Sequence, residues 1–510
     1  MLKRFFTSTW AICIFLFVLA ILIRIIPEIK AGVWPIGYDT FNSYTAEIAT
    51  YKGSLINWVW TANILYFLFL PFKALGMSPN LIMKIFGPLL YGGLIVSFFL
   101  FAKNFLNFSK SKSFLAALLI VVQLATLRIS WDLYRNELAL IFLFWGLIYF
   151  KEITKPKNLL YFSILAGLVS LSNELVTVLL IIILLVYGAY FLFKRQWDSL
   201  ISTAIPLLVV AILFTIVISS SGQVLYDPHV FFTSEKNYFW RYFYHYSSVV
   251  PYNLLKQIIT HLFWLLYGWL LLFAAIGFWR LRRNIVLATM TLWLLLGTFS
   301  SLIFLGNGLF VWERWLFMLV FPFIGCAIEG IYFLGSILSR PWGWKNRLPQ
   351  LALLLAVLFW IIYLGLFTWR ALPFLATSYA KAKPPLNNDL INSYFPRTMI
   401  LTSVGYKDID DTVKAIEWLD QNAPPGSVIL VDNRYRGVML THFNLDNRYV
   451  ITNPWSETIQ SSNLEAAKKL NYWPIYLIWN ISKAVDGFDR IYSVGDRGIY
   501  EALPTFKNSN

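Results

Sequence analysis

The chain has 510 residues, of which 58% are hydrophobic and only 13% are charged, and its net charge is +16 at pH 7. Soluble domains carry about 25% charged residues because their surfaces face water. The composition therefore excludes a soluble protein of three or four domains and indicates a protein that crosses a bilayer many times. The Lys and Arg residues lie mostly in short clusters between apolar runs, which sets membrane orientation, so we predict no nucleic-acid partner.

The apolar runs predict membrane-spanning helices, which need about 20 residues each. They lie near residues 8–28, 55–72, 85–102, 113–129, 137–150, 159–172, 175–193, 198–219, 258–279, 285–305, 315–338 and 349–370. The first run follows Lys3 and Arg4 without a small-residue cleavage site, which predicts a retained signal-anchor helix. Cys13 and Cys326 both lie inside apolar runs, so we expect no disulfide framework.

The basic clusters predict the topology, because cytoplasmic loops collect Lys and Arg. Six clusters alternate with the apolar runs, around Lys3, Lys103, Lys151, Lys194, Arg280 and Arg340. An even number of crossings must separate neighbouring clusters, yet three runs lie between the first two. The second run is the weakest, so we interpret 54–76 as an amphipathic or re-entrant segment at the outer interface. A spanning 55–72 would instead turn five basic clusters outward.

This topology predicts eleven spans in the cell membrane, with a cytoplasmic N-terminus and an extracytoplasmic end. Composition changes to soluble character at about Ser378. We therefore predict a transmembrane domain 1–377, with outer loops 29–84, 130–136 and 220–257, and an extracytoplasmic domain 378–510. Strands alternate with helices in the second domain, which predicts a largely parallel sheet. The predicted fold class is a polytopic α-helical membrane protein with a small C-terminal α/β soluble domain.

Polar residues gather on the predicted outer face, where ionisable groups near the membrane suggest function. The four groups are Gly37-Tyr38-Asp39 with Tyr44 and Glu47, Trp131-Asp132 to Arg135-Asn136-Glu137, Ser172-Asn173-Glu174, and Trp312-Glu313-Arg314-Trp315. Each group also has a local explanation: a helix N-cap at Asp39, first-turn acids at Asp132 and Glu137, a hairpin tip, and an interfacial ion pair. Their joint placement on one face favours a functional site.

An aromatic outer segment follows the seventh span. It runs from Tyr226 to Phe232 and from Tyr238 to Tyr246, and it contains His229. Aromatic rings with polar neighbours suit sugar stacking, and they equally suit an interfacial belt. His229 is therefore a candidate substrate-binding residue.

Carboxylates that converge at an outer membrane face can hold a divalent metal such as Mg or Mn, or one of them can act as a general base. An arginine at the same level can clamp a phosphate through charge-assisted hydrogen bonds. A lipid-linked phosphosugar matches these groups, since it has a tail in the bilayer, a phosphate at the interface and a sugar outside.

With these features the chain resembles the GT-C superfamily of integral membrane glycosyltransferases, which includes oligosaccharyltransferases, protein O-mannosyltransferases and aminoarabinose transferases. The likeness rests on the acid of Gly37-Tyr38-Asp39 after the first helix, the second acidic loop from Trp131 to Glu137, Arg314 near a late helix, and the outer soluble domain. The chain lacks the Trp-Trp-Asp motif of oligosaccharyltransferases and the first-loop Asp-Glu pair of O-mannosyltransferases. Subfamily and acceptor therefore stay open.

The resemblance implies a polyprenyl-phosphate sugar donor and a protein, lipid or glycan acceptor on the extracytoplasmic side. It implies that Asp39 is the base or a metal ligand, that Asp132 is the second acid with Glu137 as its competitor, and that Arg314 binds the donor phosphate. Further candidate substrate-binding residues are Tyr44, Arg135, Glu137, Glu174 and His229.

Two other functions remain possible from the sequence. A lipid-glycan flippase or transporter would show internal repeats and polar residues at the bilayer midplane. A polymerase or O-antigen ligase-like enzyme would use arginines and a histidine in a large outer loop, where Arg241 and His245 lie.

Overall fold

The computed structural model describes residues 8–37, 39–50, 64–220, 230–232, 252–304, 312–338, 351–352, 355–359, 362, 406–432, 435–453, 461–470, 472–481 and 485–504. The transmembrane helices and their connecting helices are α1 Thr9–Lys30, a π-helix Thr40–Tyr44, α2 Thr45–Thr50, α3 Leu65–Ala74, α4 Pro79–Asn104, α5 Lys110–Val121, α6 Leu124–Asp132, α7 Tyr134–Phe150, α8 Pro156–Ser170, α9 Glu174–Phe193, α10 Trp197–Ser220, α11 Tyr252–Tyr267, a 3-10 turn Gly268–Leu270, α12 Leu271–Leu281, α13 Ile285–Ile303, α14 Trp312–Met318 and α15 Val320–Leu338.

Helices and strands alternate in the C-terminal part. They are α16 Tyr406–Asn422, β2 Val428–Asp432, α17 Arg436–His442, β3 Tyr449–Asn453, α18 Ser461–Lys469, β4 Ile475–Asn480, β5 Phe488–Val494 and β6 Arg497–Ala502, and β1 is the earlier strand Val230–Phe232. The polytopic helical fold with a small C-terminal α/β domain is thereby confirmed.

Ten of the eleven predicted spans coincide with helices, and the eleventh, 349–370, falls mostly outside the described residues. In the described ranges, seven helices are long and apolar enough to cross a membrane, or eight if one bent pair of helices is counted as a single span. The remaining two, α7 and α8, have 17 and 15 residues. At 1.5 Å per residue they are about 22 to 26 Å long, which is slightly short of a typical hydrocarbon core.

The bent pair consists of α5 and α6, which meet at an angle of 61°. Gln123 lies at the break, where its side-chain oxygen accepts a hydrogen bond from the Leu124 N–H at 2.8 Å. Its amide donates to the carbonyl of Leu266 at 3.0 Å. These bonds supply partners for backbone groups near the break, as a membrane interior requires. The chain can therefore turn at this depth and end α6 at Asp132.

The segment interpreted as re-entrant is described from residue 64 onward, and residues 51–63 lie outside the described part. Its described portion forms α3, which has 10 residues. A helix of that length rises about 15 Å, or half the thickness of the hydrocarbon core. By itself α3 is therefore too short to cross the bilayer.

The bundle packs around an aromatic core. Phe98, Phe101, Phe144 and Phe321 are buried, and the centroids of their neighbouring rings are 5.0 to 6.1 Å apart. Large apolar side chains also cover the outside of the bundle; Trp10, for example, is 80% exposed. Exposed apolar surface of this extent is typical of a protein that faces lipid.

Helices α12 and α15 cross closely because each has a glycine at the contact. A Cβ atom at Gly277 would lie 1.7 Å from the carbonyl oxygen of Cys326, and one at Gly330 would lie 2.0 Å from that of Phe273. Small residues allow such close approach of membrane helices. Both obstacles are backbone atoms, so no side-chain rotation can make room for a larger residue.

An ion-pair group joins three helices at the end of the bundle opposite the predicted outer loops. Glu329 on α15 pairs with Lys112 on α5 and with Arg280 on α12, whose Nε lies 3.0 Å from the carboxylate. The three helices are thereby tied together far from Asp39.

The C-terminal domain is built on a six-stranded sheet of order β1-β3-β2-β4-β6-β5. The first four strands of that order are parallel, while β6 pairs antiparallel with both β4 and β5. Helices α16 and α17 cover one face and α18 covers the other. The largely parallel sheet agrees with the expectation from sequence.

Two strands were not expected. β6 follows β5 across Gly495-Asp496, with Gly495 at a φ of 54°. A two-residue glycine-containing turn of this kind is typical of β-hairpins, so the signal was present in the sequence. β1 lies in the predicted outer loop 220–257 and pairs in parallel with β3, Val230 opposite Val450. A loop of the transmembrane domain thus supplies an edge strand to the soluble domain's sheet.

We predict that Gly277→Ala lowers the thermal stability of the detergent-solubilised protein, with an overpacking cost of about 1–3 kcal/mol. The matched control is Gly93→Ala, because a Cβ there would lie 3.3 Å from the mobile Cδ1 of Ile141. Unfolding temperatures measured by intrinsic fluorescence compare the two variants. Equal values would contradict the close backbone contact at Gly277.

Candidate active site

Asp39 lies at the start of the π-helix in the first outer loop. Gly37 precedes it at a φ of 98°, where residues with side chains are strained, so this turn needs glycine. Asp39 occupies the N-cap position without a side-chain capping hydrogen bond. Its Oδ2 instead lies 3.8 Å from Nη2 of Arg314, and the two side chains are 37% and 26% exposed. The carboxylate and the guanidinium thus meet at a partly open surface. Tyr38 lies outside the described residues.

Packing beneath α14 places Arg314. The next residue, Trp315, is buried, and its ring fills the space over Gly297 of α13, where a Cβ would lie 2.6 Å from the ring. Trp315 also packs edge-to-face against Trp293 at 6.3 Å. The first turn of α14 is therefore held against α13, and Arg314 is left at the surface beside Asp39.

The second acidic loop lies beside the first. The hydroxyl of Thr40 donates to the carbonyl of Trp131 at 3.1 Å, which links the π-helix to the end of α6. Asp132 is the last residue of α6 and so follows this link directly. Only the backbone of Asp132 is described, so its catalytic and metal-binding roles stay predictions.

Arg135 and Glu174 form an ion pair with a distance of 2.7 Å. Arg135 also donates through Nε to the carbonyl of Ser172 at 3.1 Å. At the same hairpin tip, Asn173 caps α9 by accepting from the N–H groups of Leu175 and Val176. Arg135 and Glu174, both predicted to bind substrate, thus connect α7 to the α8–α9 hairpin. This contact agrees with the alternative interpretation of Ser172-Asn173-Glu174 as the polar tip of a hairpin.

Glu137 and Tyr44 are both buried. Glu137 is fully inaccessible, and neither of its carboxylate oxygens has a hydrogen-bond partner among the described residues. The ring of Tyr44 packs against those of Tyr134 and Tyr66 at 5.5 and 6.3 Å. Burial raises the pKa of the Tyr44 phenol above its ordinary value, so the group stays protonated. His229 lies outside the described residues. The substrate-binding roles of these three residues stay predictions.

A buried ionic network under the two loops was missed from sequence. Arg24 and Glu28 of α1 are 0% and 1% exposed, and Arg24 Nη1 lies 2.8 Å from Glu28 Oε1. Lys84 of α4 lies 3.9 Å from the second Glu28 oxygen and donates to the carbonyl of Trp34 at 3.2 Å. The signal was available, because two charged residues in the first apolar run are costly unless they have a function.

The soluble domain docks on the first outer loop. Trp34 donates from Nε1 to Asp410 of α16 at 2.9 Å, and its ring packs edge-on against His442 of α17 at 6.1 Å. Leu440 of α17 is buried against Ala46 of α2. The domain that begins after the last span therefore contacts the segment that carries Asp39.

Glu47 lies beside this docking surface. The hydroxyl of Tyr66 donates to its carboxylate. Burial raises the pKa of Glu47, although the Tyr66 hydrogen bond and the nearby charges of Arg436 and Arg135 act in the opposite direction. Folding therefore shifts the protonation equilibrium of this carboxyl toward its neutral form, relative to the unfolded chain.

The metal site predicted for Asp39 and Asp132 would require several donor side chains to converge. No group of three or more His, Cys, Asp or Glu side chains suited to a metal ion occurs within the part of the chain that the structure describes. The neighbour of Asp39 is a guanidinium, whose positive charge opposes a bound cation. Because the Asp132 side chain is not among the described ones, metal binding by Asp39 and Asp132 stays a prediction.

The architecture is that of a multi-spanning membrane protein with polar loops at one end of the bundle, beneath a docked α/β domain. Neither a family model nor a curated protein sequence matches the chain. Among solved structures it is similar to ArnT from Cupriavidus metallidurans bound to undecaprenyl phosphate, with a TM-score of 0.50 and 12% identity over 98% of this chain and 99% of that one. The chain thus shares its overall fold with this ArnT structure, in agreement with the fold that the resemblance in sequence implies.

We predict that Glu47→Gln reduces the pH dependence of stability. A carboxyl with a raised folded-state pKa stabilises the fold fully below its unfolded pKa, and this contribution is lost as pH rises through the folded value. Gln can still accept the Tyr66 hydrogen bond. The variant should therefore match the wild type near pH 4 and unfold at a higher temperature at pH 8. A difference in unfolding temperature that is the same at both pH values would contradict this.

Proposed function

We propose that this protein is a glycosyltransferase that moves a sugar from a polyprenyl-phosphate-linked donor to an extracytoplasmic acceptor. The proposal depends chiefly on the pairing of Asp39 with Arg314, which brings a carboxylate and a guanidinium from distant segments to one partly exposed point. The fold shared with an ArnT that binds undecaprenyl phosphate supports a polyprenyl phosphate as the lipid carrier.

Asp39 acts as the general base in the proposed reaction. A hydroxyl or amine of the acceptor attacks the anomeric carbon while the bond from that carbon to the phosphate oxygen breaks. The electron pair leaves with the polyprenyl phosphate, and the acceptor's proton passes to the Asp39 carboxylate. A positioned carboxylate is a common base for such a step. The base role suits Asp39 better than the metal-ligand role, since its described neighbour is a cation.

Arg314 binds the phosphate in the proposed complex. A guanidinium can donate two parallel hydrogen bonds to a phosphate, and these bonds strengthen as the leaving group gains charge. Because α14 begins a candidate membrane span, we expect its first turn to lie at the membrane boundary, where it can meet a lipid phosphate while the tail stays in the bilayer. The acceptor (protein, lipid or glycan) approaches from the extracytoplasmic side, where the soluble domain lies over the first loop.

We predict that Asp39→Asn lowers kcat by about 10²- to 10⁴-fold, the range over which general bases contribute. Purified protein in liposomes with a radiolabelled polyprenyl-phosphate sugar measures transfer. The matched control is Asp198→Asn, an exposed acid in the first turn of α10, which should keep wild-type kcat. Undiminished transfer by Asp39→Asn would remove Asp39 from the reaction. Loss of donor from one leaflet without any glycosidic product would favour a flippase.

We predict that Arg314→Gln raises KM for the lipid donor by about 10- to 100-fold, because one charge-assisted contact to the phosphate is lost. The free polyprenyl phosphate should lose inhibitory potency to the same degree. An unchanged KM, with unchanged inhibition by the free lipid phosphate, would contradict phosphate binding by Arg314.

A further inference from the structure

We infer that Arg24 and Glu28 are positioning residues, which fix the two acidic outer loops relative to each other. The inference rests on the proposed function, since it concerns how the loops that carry Asp39 and Asp132 are held for transfer. Both residues are buried in α1, at its outer end and beneath the loops.

Arg24 holds the second loop. Its Nε donates to the carbonyl of Ser130 at 3.0 Å, and its Nη2 donates to the hydroxyl of Tyr134 at 3.3 Å. Ser130 precedes Asp132 by two residues and Tyr134 follows it by two. The guanidinium therefore donates hydrogen bonds to residues on both sides of the turn at which Asp132 lies.

Glu28 holds the first loop. One oxygen accepts from Arg24 Nη1 at 2.8 Å, and the other accepts from the N–H of Ile36 at 3.2 Å. Ile36 lies three residues before Asp39. Lys84 adds a second link, since its ammonium donates to the carbonyls of Glu28 and Trp34. The backbone that leads to Asp39 is thus hydrogen-bonded to the Arg24–Glu28 pair, which also binds the second loop.

A glycine on α4 leaves the space that the side chains around the Arg24–Glu28 pair occupy. A Cβ at Gly87 of α4 would lie 2.9 Å from the Tyr134 hydroxyl and 3.2 Å from Arg24 Nη2. Gly87 therefore leaves the room that the guanidinium and the phenol need. Replacing a buried ion pair with apolar side chains of similar size is often neutral or stabilising, whereas removal of one partner destabilises strongly. The stability of the fold therefore does not by itself require a charged pair at these positions. The hydrogen bonds to the backbone of Ser130 and Ile36, by contrast, do require the guanidinium and the carboxylate.

The double variant Arg24→Met/Glu28→Met separates positioning from stability. Its stability should fall less than that of either single variant, because the two fully buried charges are removed together and only the partly exposed Lys84 loses its carboxylate neighbour. It should also lose about 10- to 100-fold in kcat, with KM for the lipid donor little changed, because loops displaced by about 1 Å no longer align base and donor. Each single Met variant should be clearly less stable than the double variant.

The matched control is Lys112→Met/Glu329→Met, which removes an ion pair at the opposite end of the bundle. It makes the same chemical change and should keep the wild-type kcat per folded molecule. Arg24→Lys is the conservative variant, since it keeps the pair with Glu28 but cannot reproduce the fork of Arg24. It should fold and also show reduced kcat with unchanged KM.

The outcomes distinguish the two proposals. A folded Arg24→Met/Glu28→Met protein with wild-type kcat would overturn the positioning role. If that protein does not fold, Arg24→Lys decides, and a wild-type kcat there overturns the role equally. Absence of sugar transfer by the wild-type protein in liposomes would instead overturn the proposed function.

Discussion

A buried ion pair inside an otherwise apolar helix is the constraint on which the outer face depends. Removing a carboxylate and a guanidinium from water costs several kcal/mol for each ion after relaxation. Arg24 and Glu28 offset this cost with each other and with backbone groups of the two loops above them. Because their hydrogen bonds have narrow geometric limits, the loops are drawn to fixed points. Because charges without partners are costly inside the bilayer, the pair keeps its hydrogen-bond partners, and the loops above it are held in fixed positions.

The site above this pair is assembled from both ends of the transmembrane domain. Asp39 comes from the loop after the first helix, and Arg314 comes from one of the last helices. Each is placed by packing below it: Asp39 by the glycine turn and the Glu28 link, and Arg314 by the buried Trp315. Both side chains remain partly exposed. Preorganised sites generally require that the functional side chains are supported by rigid packing beneath them.

The soluble domain completes the outer face because it is bound to the membrane domain at two places. Helix α17 packs on α2 directly beyond Asp39, and β1 joins the sheet from a loop between two spans. The surroundings of Asp39 therefore depend on both domains. The domain boundary at 377 and 378 remains a prediction from composition, although the sheet itself crosses it through β1.

The sequence by itself determined the class of fold, ten of the described spans and most of the α/β order, because hydrophobic periodicity and charge bias act locally along the chain. It also singled out Asp39 and Arg314 as candidates. Only the tertiary structure decided which polar residues meet. It paired Arg314 with Asp39, paired Arg135 with Glu174, buried Glu137, and placed Arg24 and Glu28 beneath the loops. Such contacts join residues far apart in sequence, and helix rotation and the α5–α6 bend fix them, which no local pattern encodes.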